Sequence, residues 1–68
     1  MNINKFNEIL ISSHIEPFNE MSFSDMSVEV QSAELTVVRI TFDEPYYEMR
    51  TYYVRNGRVD EEEIEFEN

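Results

Sequence analysis

The residues best suited to chemistry in this chain are carboxylates. Residues 60–68 hold Asp60, Glu61, Glu62, Glu63, Glu65 and Glu67, six acids with no base among them. On an extended strand alternate side chains share a face, so Glu61, Glu63, Glu65 and Glu67 form one column at intervals of about 6.6 to 7 Å. That interval is comparable to the separation of successive phosphates on a nucleic-acid backbone, and such a column can occupy a protein groove built for nucleic acid. The same charge also guards an edge strand against aggregation, and both roles stay open at this level. Metal binding is a poor match. Calcium takes six to eight oxygens from a looped segment, whereas these acids alternate between the two sides of a strand.

The other groups offer less. His14 is the sole histidine and stands beside Ser12 and Ser13 with Glu16 close by. Neighbours on one helix do not form a nucleophile–base–acid geometry, so His14 reads as a helix-terminal residue. The absence of Cys removes a thiol nucleophile, a cysteine zinc site and disulfides. With Gly57 the only glycine there is no phosphate-cradling loop. Paired carboxylates of the glycosidase kind need a cleft, and a chain of 68 residues forms one small domain with little concave volume. No catalytic residue, metal or cofactor is expected, and the chain reads as a non-enzyme.

Charge narrows the partners. Fifteen Asp and Glu against five Lys and Arg give a net charge of −10, the wrong sign for direct binding to nucleic acid or an anionic membrane. The opening MNINKFNEIL has no basic leader and no long apolar stretch, so the cytoplasm is the expected compartment.

The elements that must position these groups follow from periodicity. Residues 2–14 repeat helically: Ile3, Phe6, Ile9 or Leu10, and Ser13 share a stripe, Asn2 or Asn4 caps the start, and Lys5, Asn7, Glu8 and Ser12 face water. Residues 17–25 bury Phe18, Met21 and Phe23 either as a second helical turn or as an ordered loop. From Met26 the period falls to two. Four strands follow, with turns at Ser32-Ala33, at Glu44-Pro45 and at Asn56-Gly57, the last being the strongest hairpin signal in the chain. The expected fold is α+β: a single domain over 1–68, with a helical segment (1–25) packed on a four-stranded antiparallel meander (26–67).

Turn geometry then predicts register. A two-residue Asn56-Gly57 loop sets Val54 against Val59, Tyr52 against Glu61, Arg50 against Glu63, Met49 against Ile64 and Tyr47 against Phe66. Centring the previous turn on Glu44-Pro45 sets Phe42 against Tyr47 and Ile40 against Met49. Both place Val38, Ile40, Phe42, Tyr47, Met49, Thr51, Tyr53, Ile64 and Phe66 under the helix. The opposite face would then carry Leu35, Val37, Tyr52, Val54 and Val59 at one end. At the other end it would carry Arg39, Arg50, Glu48 and the glutamate column. The expected partner-binding residues are Glu48, Tyr52, Glu61, Glu63, Glu65, Glu67, Val37 and Val54.

Small, strongly acidic, cysteine-free chains of this kind resemble phage-encoded inhibitors of host defence, such as anti-CRISPR proteins and other DNA mimics. The residues that carry the resemblance are Asp43, Glu44, Glu48, Asp60, Glu61, Glu62, Glu63, Glu65 and Glu67. It is a resemblance of size, charge and style, without a diagnostic motif. It implies a stoichiometric inhibitor, acting in a host cytoplasm, that blocks the nucleic-acid site of a protein partner by contact. The rival expectation is a structural protein that homodimerises through Leu35, Val37, Tyr52, Val54 and Val59.

Overall fold

A computed structural model of the chain describes residues 1–18 and 23–67, with the backbone alone described for Glu67. Met21, expected to be buried, lies outside the described residues. The order is one helix, α1 (Ile3–Ser12), then strands β1 (Asp25–Val30), β2 (Leu35–Phe42), β3 (Tyr47–Arg55) and β4 (Arg58–Glu67). The strands form one antiparallel sheet in the order β1-β2-β3-β4. This is the α+β meander expected from the sequence. The helix is too short to cross a membrane.

Local chemistry sets the helix ends. The Asn2 side chain accepts from the Lys5 amide at 2.9 Å, satisfying one of the free amides of the first turn. At the other end the Ile15 amide donates to the Leu10 carbonyl and the His14 amide to the Ile11 carbonyl. That is a Schellman closure, and His14 takes its left-handed position with φ +63°. The histidine therefore ends the helix. Ser13 joins α1 to the sheet: its hydroxyl donates to the Ile9 carbonyl and accepts from the Val59 amide at 2.9 Å. Asn7, expected to face water, is instead half-buried and clamps Phe18, accepting from its amide and donating to its carbonyl, both at 2.9 Å.

The core forms where α1 and the segment after it meet the sheet. Phe6, Ile9 and Leu10 pack with Val38, Ile40, Tyr52 and Val54, and Ile3, Ile15, Phe18, Phe23, Met26, Phe42 and Val59 close around them. Tyr52 meets Phe6 edge-on at 5.1 Å and Phe18 at 6.1 Å. Arg50 caps this aromatic group, its guanidinium 5.1 Å from the centre of Phe42 and 5.7 Å from that of Phe18. It is also paired with Glu48.

The observed register corrects the expected one twice. Between β2 and β3, Phe42 faces Glu48 and Ile40 faces Arg50. Five residues rather than four separate the first pair, and an odd change turns β3 over. Tyr47, Met49, Thr51 and Tyr53 therefore leave the helix side, and Glu48, Arg50, Tyr52 and Val54 enter it. Between β3 and β4 the turn at Asn56 (φ 52°) and Gly57 (φ 78°) pairs Val54 with Val59 as expected. The ladder then slips by one, so Tyr53 faces Glu61 and Arg50 faces Ile64. The extra residue is Asp60, a β-bulge. This second slip undoes the first for β4. Ile64 and Phe66 share the helix side as expected, yet they are 43% and 67% exposed because the ten-residue helix does not reach them. Arg39 and Arg50 lie on opposite faces, and the expected Arg50–Glu63 pair is replaced by Arg50–Glu48.

Two measurements check this arrangement. Phe6→Ala should cost about 3–5 kcal/mol, most of the stability of a domain this small, whereas Ile11→Ala at a 59% exposed position should stay within about 0.5 kcal/mol in urea unfolding. Deleting Asp60 restores an unbroken β3–β4 ladder with every later pair preserved, so cooperative unfolding should survive. Deleting Thr51 from the central strand inverts half of β3 against β2 and should abolish it.

Candidate protein-binding face

The sheet has one face under the helix and one open face. Three ranks of side chains cross the open face. From β1 to β4 they read Asp25, Thr41, Met49, Glu65; then Ser27, Arg39, Thr51, Glu63; then Glu29, Val37, Tyr53, Glu61. Every rank ends in a glutamate. Glu61, Glu63 and Glu65 are exposed, and the backbone of Glu67 continues the same alternation opposite Tyr47. The column expected from the sequence therefore stands on the open face.

The column has no cation of its own among the described residues. Among the described residues the ion pairs join Arg39 to Glu29 (3.7 Å), Arg55 to Asp60 (3.7 Å) and Arg50 to Glu48. Arg39 is the one cation in the three ranks, and it turns toward β1, away from β4. Beside the column lie Tyr47, 39% exposed, and the half-buried Met49 and Tyr53. Burial and then the charge of Glu63 push the Tyr53 hydroxyl above its ordinary value, with Glu61 adding and Arg39 opposing. The phenol thus stands in the field of the column.

Three of the expected binding residues belong elsewhere. Tyr52 and Val54 are core, 1% and 4% exposed, because β3 is turned over relative to the expected register. Glu48 moved with them to the helix side and is engaged with Arg50. Val37 does lie on the open face, but at 1% exposure it is enclosed between its neighbours Glu29 and Tyr53 and has almost no surface to offer. The proposed homodimer patch loses its continuity for the same reason: Leu35 and Val37 are on the open side, Tyr52, Val54 and Val59 on the other. Tyr47, Met49 and Tyr53 were missed as surface residues. The signal for them was the odd number of residues from Asp43 to Tyr47, which the Pro45-centred turn obscured.

His14 is exposed at the helix terminus. No three acidic or histidine side chains among the described residues converge on a common point. Comparison with protein-family models, curated proteins and solved structures gives no match to this chain.

Tyr52 has a measurable role in stability. Burial pushes its hydroxyl from 10.0 up to about 12, with Arg50 opposing and Glu62 adding. The folded state thus holds the neutral phenol to a higher pH than the unfolded chain. Its contribution is complete below about pH 10 and should be lost as pH rises through about 12. Urea midpoints across that range should fall for the native chain and fall less for Tyr52→Phe.

Proposed function

We propose that the protein is a non-catalytic inhibitor that docks the open face of its sheet, glutamate column foremost, on a cationic nucleic-acid site of a partner protein. The observation that carries this reading is the column Glu61, Glu63 and Glu65, unpaired with any cation among the described residues and bordered by Tyr47, Met49 and Tyr53. Carboxylates along an edge strand serve solubility at any spacing. A column beside aromatic and thioether surface additionally offers what a binding site needs, charge for steering and apolar area for retention. The partner's groove would supply the Arg and Lys that the column lacks. The action is occlusion, one inhibitor per site, with no bond made or broken. The resemblance to phage-encoded DNA mimics agrees with this reading and would imply a partner in a host cytoplasm.

The test uses the immobilised protein beside a Glu61→Lys/Glu63→Lys/Glu65→Lys variant. Partners captured from a bacterial lysate are identified, purified and assayed for nucleic-acid binding. The expected result is a protein that loses its nucleic acid to the native chain and not to the variant, with association slowing as salt rises. Capture that persists with the variant, or a partner whose nucleic-acid binding is untouched, would refute the proposal.

A further inference from the structure

The two edges of the sheet are guarded differently. β4 carries the acids of residues 60–65, while β1 reads Asp-Met-Ser-Val-Glu-Val and leaves Val28 37% and Val30 72% exposed. No described strand pairs with the far side of β1. The Gln31 amide donates to the Leu35 carbonyl at 3.0 Å. In an antiparallel ladder the bonded positions alternate, so Ser27 and Glu29 turn their backbone groups toward β2. Met26, Val28 and Val30 therefore direct theirs outward. The helix is tied to the opposite side of the molecule, where the Val59 amide meets Ser13 and Arg58 reaches the Ser12 carbonyl.

From this placement we infer that β1 pairs antiparallel with β1 of a second copy of the chain, Val28 on the two-fold axis, to form a continuous eight-stranded sheet. The strand is self-complementary in one register. With Val28 opposite the partner's Val28, Met26 faces the partner's Val30, Ser27 faces the partner's Glu29 and Asp25 faces the partner's Gln31. Every apolar residue of β1 then meets an apolar residue, and no two acids meet. The neighbouring registers that keep the faces aligned fail on charge. One sets Asp25 against the partner's Glu29, and the other sets Glu29 against the partner's Glu29, and like charges directly opposite are destabilising. The outward backbone groups of Met26, Val28 and Val30 are the ones this register hydrogen-bonds.

Net charge does not forbid the pairing. In the joined sheet the two β4 strands lie at opposite extremes, seven strand spacings apart or roughly 34 Å. That is several times the screening length of about 10 Å at 0.1 M salt. What repulsion remains should weaken with salt. Dimerisation would therefore strengthen as ionic strength rises, opposite to the expected response of the open face to a cationic partner. The two surfaces are distinct, so either can fail without the other.

The absence of native cysteine makes the register directly readable. In this arrangement Val28→Cys lies about 5.5 Å from its own copy between Cα atoms, within disulfide range. Ser27→Cys lies more than roughly 7 Å from its copy, outside that range, and opposite the partner's residue 29. Under mild oxidation Val28→Cys should become a covalent dimer. Ser27→Cys alone should form no covalent dimer, and a mixture of Ser27→Cys with Glu29→Cys should join covalently. Sedimentation equilibrium of the native chain should move from 8.2 kDa toward twice that value with concentration, further at high salt. Val28→Lys, which sets two lysines face to face, should remain at 8.2 kDa while keeping the native circular dichroism spectrum. A native chain that stays monomeric at every concentration and salt overturns the inference. So does a dimer that survives Val28→Lys, or one in which Ser27→Cys couples to itself as readily as Val28→Cys.

Discussion

One residue of β4 decides what this molecule shows to solvent. The hairpin turn fixes Val54 against Val59, and a plain ladder from there would carry Glu61 and Glu63 under the helix, against Tyr52 and Arg50. In the observed register the place opposite Tyr52 is taken by Glu62, which stays exposed, so the plain ladder differs in which side the acids line and in turning Ile64 and Phe66 to the open face. The bulge at Asp60 absorbs one residue and reverses every side chain beyond it. Ile64 and Phe66 turn inward and the odd-numbered glutamates turn out. The acidic face is thus a property of register as much as of composition.

The core that register protects is small and aromatic. Phe6 and Tyr52 sit at its centre, and Phe18 extends it by stacking near Phe6, Phe23, Phe42 and Tyr52. A helix of ten residues spans about 15 Å, too little to roof a sheet whose strands run to ten residues. The chain makes up part of the difference with an irregular segment held down by Asn7. Arg50 adds a planar cation over two rings, partnered by Glu48 so that its charge is not left unpaired. Beyond that roof Ile64 and Phe66 remain in water.

Periodicity made the elements legible: the helical stripe of Phe6, Ile9 and Leu10, the alternation from Met26 onward and the Asn56-Gly57 turn all did what their chemistry dictates. Register was harder, because it depends on counting residues through loops, and one residue in either direction inverts a face. Five residues separate Phe42 from its partner Glu48 where a Pro-centred turn suggested four, which sent Tyr52 and Val54 into the core and brought Tyr47, Met49 and Tyr53 out. The bulge then cancelled that error for β4, so the glutamate column was located correctly by two slips of opposite effect. Two hairpin readings that agree with each other are therefore weaker support than they look when they share a strand. Asn7 was illegible for another reason: a polar residue beside an apolar stripe looks solvated until the chain that folds back over it is seen.

The helix is the first element the chain offers and β4 is the last, and the two are fastened together. The Ser13–Val59 and Ser12–Arg58 links each span 46 residues. At ribosomal rates of about 5–20 residues per second, that span takes roughly 2 to 9 seconds to make. Until β2 and β3 are made, the stripe of Phe6, Ile9 and Leu10 lacks its partners Val38, Ile40, Tyr52 and Val54. Closure of this domain is consequently a late event in its own synthesis, and the apolar stripe waits uncovered for partners made after it.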